Sequence, residues 1–418
     1  MFWVKKSPII CLLSKFLCYV YSMKEQFIDE VFSKLAEEEV PDINGLFKER
    51  VNSLNLSMRQ VENILTIDRK VLKNILDGTN KKVDVVSLIK IGSFIGFSFE
   101  ESLKIFAASL PVEQIIEIQD ARKRLFIIKN FDLKGLKKLN FLSDINDFSL
   151  IEQRINDFFG LQSIYDYGSQ IGVAYSKAKK NYNNKMVDFW NQSAHGYFKK
   201  INNPNDYDRN RLIEVIPHIR PYSQDLENGL RIVARALYEI GVTVIFQPYV
   251  STTQMRGATF IVNDKPCIVI TNRNKNYATL WFALLHEIYH VLFEFDKVKK
   301  SVFHLTGELN LEFVDEEAAN DFARQYFLSN EKSKYIFPYI DQPSIIKRYA
   351  MKNKIHPSFI YNFYCYDMEG RNEYWGMYKR YMPSTEISVK NLNSDIWQYS
   401  TLEEGVLSGM IKLKTKTD

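Results

Sequence analysis

The residues best suited to chemistry lie in the segment Leu284–Phe293, which reads Leu-Leu-His-Glu-Ile-Tyr-His-Val-Leu-Phe. Positions i and i+4 of an α-helix share a face, so His286 and His290 can direct ring nitrogens at one metal ion. Glu287 then lies where a water bound to that ion would be. The pattern predicts the helix of a zinc peptidase.

The residues around this triplet predict a buried helix. Five apolar side chains surround it, namely Leu284, Leu285, Ile288, Val291 and Leu292. The alternative is a chance match on a core helix. We favour the metal site because a polar triplet in so apolar a helix needs a purpose, and because the chain has only six histidines.

Zinc requires a third protein ligand, and a catalytic site keeps the fourth position open. A metzincin would have a third histidine six residues after His290. This chain has Asp296 where that histidine would be, and Phe293 where the metzincin pattern has glycine. The metzincin pattern is therefore absent, and the next candidate for the third ligand lies in a later helix.

The segment Phe313–Leu328 is predicted to form a helix that supplies this ligand. Helical spacing places Glu316 near one face together with small or apolar residues, Ala319, Ala323 and Phe327. Small residues let two helices approach closely, as a shared metal requires. Glu316 is the predicted third ligand, with Glu317 as the alternative and Asp315 as a weaker one.

These motifs resemble the ImmA/IrrE metallopeptidase family. His286-Glu-Ile-x-His290 is followed by Glu316-x-x-Ala319-Asn320-x-Phe322-Ala323, which is similar to the second motif of that family. The segments Arg256-Gly-Ala-Thr-Phe260 and Lys265-Pro-Cys-Ile-Val-Ile-Thr271 resemble its strand pair. The resemblance covers about residues 205–330 and departs at Tyr289, where the family usually has glycine.

The resemblance implies that His286, His290 and Glu316 bind Zn²⁺ and that Glu287 is the general base of a gluzincin-like endopeptidase. It further implies a protein substrate, a transcriptional repressor or partner. Cleavage of that protein would release a stress, mobile-element or phage-related response.

A small sheet is predicted before the histidine helix. A helix over Glu227–Ile240 is followed by three runs rich in β-forming residues, Val242–Phe246, Ala258–Val262 and Cys267–Thr271. We expect a three-stranded sheet packed on the helix of His286, with an edge to which an extended peptide can add.

The amino-terminal part has the pattern of a helix-turn-helix DNA-binding domain. Four helices are predicted, over Asn44–Asn55, from the capping box Ser57-Met-Arg-Gln60 onward, over Asp68–Leu76 and over Asp84–Phe94. Their spacing resembles that of the repressor-type helix-turn-helix domain.

The third of these helices is the predicted recognition helix. It offers the side chains of Arg69, Lys70, Lys73 and Asn74 to phosphates or base edges. Four apolar residues are predicted to turn inward, Val71, Leu72, Ile75 and Leu76. The alternative is a helical interaction module that does not bind DNA, because Lys and Arg on an exposed face often serve only solvation.

The length of 418 residues predicts two or three domains, and 46% hydrophobic residues suffice for their cores. A net charge of +5 permits contact with DNA. The four cysteines form no C-x-x-C pair, which predicts a reduced cytoplasmic protein without thiolate zinc ligands. No membrane association is expected.

The predicted fold class is α+β and mainly helical. Five regions are expected: a doubtful extension over 1–22 with Met23 as the functional start, a helix-turn-helix domain over 23–110, a helical linker over 111–204, a zincin-like domain over 205–330 and a helical region over 331–418. Within 111–204, the Tyr/Asn/Lys-rich stretch Tyr175–Asn184 is the best linker candidate.

A second functional class stays open at this point. The protein could be a non-proteolytic DNA-binding regulator or antitoxin that uses the zinc domain as a sensor or scaffold. An intact Glu287 and an open fourth zinc position favour hydrolysis, whereas a fourth protein ligand such as His304 would favour structural zinc.

Overall fold

The structure is a computed structural model, and contacts divide the chain into two compact units, Met1–Arg122 and Lys123–Asp418. The predicted extension over 1–22, Met23 and the whole predicted linker segment Tyr175–Asn184 lie outside the described residues. Of residues 112–115 and 304–305 only the backbone is described. The described residues are 42–77, 79, 84–99, 101–102, 112–168, 185–251, 253, 255–300, 304–305, 315–368, 371–392 and 395–415.

The first unit contains helices α1 (Ile43–Ser53), α2 (Met58–Leu65), α3 (Arg69–Leu76) and α4 (Val85–Ile95). Each predicted helix is present within about two residues of its expected ends. The expected capping box is also confirmed, because the Ser57 and Gln60 side chains each bond the other's backbone N–H. The core of the unit consists of Phe47, Val61, Leu65, Ile67, Leu72 and Ile91.

One inward-facing prediction for α3 was wrong. Leu72 is fully buried and Ile75 and Leu76 are half-buried, but Val71 is 40% exposed. Successive residues of a helix are about 100° apart, so a single eight-residue helix buries one stripe and leaves Val71 on its flank.

The second unit begins within α5 (Val112–Asn130). Its helices before the sheet are α6 (Leu133–Lys138), α7 (Phe148–Phe159), α8 (Lys185–Ile201), α9 (Arg209–Ile219) and α10 (Gly229–Glu239). The strands are β1 (Thr243–Phe246), β2 (Gly257–Val262), β3 (Lys265–Ile270) and β4 (His304–Leu305). The later helices are α11 (Tyr277–Phe293), α12 (Phe295–Lys300), α13 (Glu316–Phe327), α14 (Asn330–Ile336), α15 (Pro343–Lys352), α16 (Ser358–Asp367), α17 (Glu373–Tyr378), α18 (Glu386–Leu392) and α19 (Leu402–Lys414).

The sheet is mixed and has the strand order β1-β3-β2-β4. β1 and β3 are parallel, and β2 and β3 form an antiparallel hairpin. The hairpin turns at Asn263 and Asp264, whose φ values of 52° and 61° suit a two-residue turn that follows the strand twist. The three predicted strands are present, and the two-residue β4 pairs with β2 at Ala258 and Thr259.

Strand β3 separates two hydrophobic clusters of the second unit. Ile268 and Ile270 belong to the cluster on the α11 side, whereas Cys267 and Val269 belong to the cluster on the α8 side. Successive residues of a strand point to opposite faces, so β3 is covered on both. The α8-side cluster draws on helices α5 to α8, which lie within the predicted linker region.

The prediction of a mainly helical α+β protein is confirmed. The described parts of 331–418 are helical, as expected. Among the helices that the structure describes, none is long and apolar enough to cross a membrane.

Candidate metal centre

Helix α11 carries the predicted metal ligands into the interior. Asn276 is its N-cap, and the Asn276 side chain accepts a hydrogen bond from the Ala278 N–H. His286 is 2% exposed, and Glu287 and His290 are fully buried. Burying polar groups to this extent is costly unless they find hydrogen-bond partners or a metal ion.

The three predicted ligands lie together. His286 Nε2 and His290 Nε2 are 3.1 Å apart. Oxygens of Glu316 lie 3.3 Å from His286 Nε2 and 3.6 Å from His290 Nε2. The structure thus brings a residue of α13 to the two histidines of α11, in a group that could hold a metal ion.

Each histidine is oriented through its other ring nitrogen. His286 Nδ1 is 3.1 Å from Asn320 Oδ1, and His290 Nδ1 is 2.8 Å from Glu294 Oε2. Both partners are oxygen acceptors, so each imidazole can keep a proton on Nδ1 and leave the lone pair of Nε2 for a metal ion. Metal-binding histidines are commonly fixed in this way.

Glu294 is held by more than His290. It is 4% exposed, and its Oε1 accepts from Lys297 Nζ at 2.9 Å and from the Asp315 N–H at 3.1 Å. Burial alone would raise the pKa of Glu294, but the bonds from Lys297, His290 and Asp315 lower it below its usual value. Glu294 is therefore a charged acceptor for His290.

The electrostatics of the site favour a cation. Burial acts to lower the pKa of His286, but the carboxylates of Glu316 and Glu287 outweigh burial and raise this pKa above its ordinary value. Two nitrogens on one tetrahedral zinc ion, with bonds of about 2.0–2.1 Å, lie about 3.3 Å apart. The 3.1 Å between His286 and His290 is close to that separation.

Glu287 lies against β2 rather than among the ligands. Thr259 Oγ1 donates a hydrogen bond of 2.6 Å to Glu287 Oε2. A Cβ built on Gly257 would clash with Glu287 Oε1. Both β2 residues thus contact the carboxylate.

A cleft of about 730 Å³ reaches the site. His286 and Glu287 are among the residues that line it, although both are almost completely buried. Its apolar lining includes Phe282 and Phe363, and its charged lining includes Arg256. The volume lies in the usual range for ligand clefts in proteins, about 300–1,000 Å³.

Neither alternative to Glu316, Glu317 or Asp315, belongs to the group of three ligands. Glu317 is exposed and lines the cleft, and Asp315 caps α13 by accepting from the Ala318 N–H at 2.8 Å. Tyr289 packs on Phe293 and Phe322, with ring centroids 4.9 Å and 5.7 Å away. Tyr289 is not part of the cleft lining.

The predicted DNA-contacting residues all lie on α3 of the first unit. Arg69, Lys70 and Lys73 are exposed, and Asn74 is half-buried. Arg69 lies 3.8 Å from Glu62 of α2, and 75% of its side chain is exposed. The three cations therefore remain accessible to an anionic partner.

No family model, curated protein or solved structure matches this chain. The resemblance to the ImmA/IrrE family and to repressor-type helix-turn-helix domains stays a prediction, which rests on the motifs and spacing quoted above.

Three residues of the site had no predicted role. Glu294 follows His290 by four positions, so helical spacing could have identified it as a partner of that histidine. Asn320 follows Glu316 by four positions, so helical spacing could have placed it on the face of α13 that meets His286. Thr259 gave no signal, because the packing of β2 on α11, rather than local spacing, brings it to Glu287.

Proposed function

We propose that this protein is a zinc-dependent endopeptidase joined to a DNA-binding domain. The observation that carries the proposal is the pair of Nε2 atoms 3.1 Å apart facing Glu316, with oxygen acceptors on both Nδ1 atoms. This set of two nitrogens and one carboxylate oxygen suits zinc. Among the described side chains, which do not include that of His304, no further His, Cys, Asp or Glu joins the group, and this supports a fourth position open to water or substrate.

Zinc at His286, His290 and Glu316 would supply a Lewis acid and a water of lowered pKa. Glu287 would take a proton from the attacking water and deliver it to the leaving amine as the C–N bond breaks. The products are a carboxylate and an amine. The cleft beside Glu287 would hold the peptide.

The proposed substrate follows from the family resemblance. It is a transcriptional repressor or a partner regulator, whose cleavage would start a stress, mobile-element or phage-related response. The exposed cations of α3, Arg69, Lys70 and Lys73, support a DNA-binding role for the first unit.

The metal is tested first. We expect about one zinc per chain in the purified protein, and His290→Ala or Glu316→Ala should lower zinc content sharply. Glu317→Ala should keep it, because that side chain lies outside the ligand group. Equal zinc loading in wild type, His290→Ala and Glu316→Ala would remove this site.

Proteolysis is tested by co-expression with repressors encoded by neighbouring genes, followed by mass spectrometry for a cleavage product. Glu287→Gln should keep zinc and abolish cleavage, with a loss of at least about 10²–10⁴-fold. Glu214→Gln, an exposed carboxylate on α9, is the matched control. A wild-type biological response in Glu287→Gln would instead support a regulator that does not cleave protein.

A further inference from the structure

We infer that Thr259 is a positioning residue for Glu287, and that Gly257 makes the space which this position requires. The inference rests on the proposed peptidase function and identifies two residues that assist its general base. Neither residue is a ligand of the proposed metal.

Strand geometry places both residues on one face. Gly257 and Thr259 are two positions apart on β2, so they point to the same side of the sheet. The intervening Ala258 belongs to the α8-side cluster, on the opposite side. Gly257 and Thr259 therefore face α11 and contact the Glu287 carboxylate.

Burial makes the Thr259 bond consequential. Thr259 and Glu287 are both fully buried. A carboxylate out of water requires hydrogen-bond donors, and a bond to a charged group at 2.6 Å is among the stronger ones. Thr259 thus holds Oε2 and contributes to the orientation of the carboxylate.

Gly257 leaves the space that the other carboxylate oxygen of Glu287, Oε1, occupies. It lies in a regular strand, so its backbone would accept alanine, but the added Cβ would clash with Glu287 Oε1. The strand has little room to yield, because β2 pairs with β3 over six positions. The Arg256 carbonyl also accepts bonds from Thr271 N and Oγ1 at 3.2 Å and 3.0 Å.

Acetohydroxamate tests the inference without a protein substrate. This small acid binds an accessible zinc through its oxygens and can donate a hydrogen bond to a nearby carboxylate. Its affinity for zinc-loaded full-length protein is measured by calorimetry. We expect Thr259→Val to weaken binding about tenfold, because a displaced Glu287 loses a charged hydrogen bond.

Two further variants sharpen the comparison. Thr259→Ser restores the hydroxyl and should restore affinity, which a general packing role for Thr259 would not predict. Thr243→Val is the matched control, because Thr243 is a buried strand threonine on β1 that accepts from Asn203 at 3.3 Å. This control should bind acetohydroxamate as wild type does.

The outcomes separate the two claims. Absence of zinc or of acetohydroxamate binding in wild type would overturn the proposed function and the inference together. Wild-type affinity in folded, zinc-loaded Thr259→Val would overturn the inference alone. If Thr259→Val does not fold, Gly257→Ala takes its place: weaker binding with normal zinc content supports the inference, and unchanged binding overturns it.

Discussion

Glu294 connects three parts of the site through one carboxylate. Its carboxylate accepts hydrogen bonds from His290 of α11, from Lys297 of α12 and from the backbone N–H of Asp315, which precedes α13. A single residue therefore fixes the ring of a proposed ligand and the approach of the helix that carries Glu316.

Glu294→Ala should weaken metal binding by about 10–100-fold, because His290 Nδ1 loses the acceptor that orients its ring. Glu294→Gln should lie between this variant and wild type, since its amide oxygen can still accept from His290. Zinc affinity is measured by competition with a chelator. Lys297→Met, which removes only the outer partner, is the control, and wild-type affinity in Glu294→Ala would contradict the assignment.

At the scale of elements, the close approach of α11 and α13 assembles the ligand group. Ala319 and Ala323 are fully buried on the face of α13 that carries Glu316. Larger side chains there would hold the helices further apart. The small-residue stripe thus determines whether Glu316 reaches the histidines of α11.

Ala319→Leu should lower zinc affinity and destabilise the fold by about 1–3 kcal/mol, because the interface is already filled. Ala121→Leu, on the exposed face of α5, is the matched control and should change neither quantity appreciably. Chelator competition and thermal unfolding measure the two effects. Normal zinc affinity in Ala319→Leu would show that helix spacing does not control the site.

A second element prediction concerns the start of α16. His356 Nδ1 accepts from the Ser358 N–H at 3.1 Å, and burial lowers the pKa of His356 from 6.5 to about 4. The unfolded chain therefore takes up this proton at a higher pH than the folded chain. The contribution of neutral His356 to stability is complete above pH 6.5 and is lost as pH falls toward about 4.

His356→Asn should flatten this dependence, because asparagine can still accept from the Ser358 N–H but does not titrate. The melting temperature is compared between wild type and variant from pH 7 to pH 4.5. Parallel curves for the two proteins would contradict the role of His356.

Local spacing explains which parts of this arrangement the sequence could predict. His286 and His290 follow from a four-residue interval, and Glu316 follows from its place on the stripe of Ala319 and Ala323. Thr259 depends on how β2 lies across α11, which no local interval encodes. The prediction that Val71 faces inward was wrong, because apolar character alone does not distinguish the centre of a buried stripe from its flank.

At the scale of the whole molecule, the charges of the first unit are the proposed contact with DNA. Replacing Arg69, Lys70 and Lys73 together with glutamine should weaken binding of the full chain to its own promoter region. The slope of log affinity against log salt should flatten by up to about 3, because each lost phosphate contact removes about 0.9.

The matched control replaces Lys347, Arg348 and Lys352 of α15, which are also exposed, with glutamine. Both variants lose three positive charges. A difference in their DNA affinity would therefore depend on where the charges lie and not on the net charge. Unchanged DNA binding in the α3 variant would exclude this recognition helix. Absence of binding in wild type would favour a protein-interaction role for the first unit.

Because helices cover both faces of β3, the two helical layers of the second unit should unfold together. Residues Cys267–Ile270 are fully buried and contribute alternately to the two hydrophobic clusters. Neither helical layer can separate from the sheet without exposing β3 to water. The backbone amides of α8 and α11 should therefore lose their protection against hydrogen exchange in the same cooperative event. Hydrogen–deuterium exchange should find the β3 amides among the slowest, and full exchange of α8 while α11 stays protected would show two independent opening units.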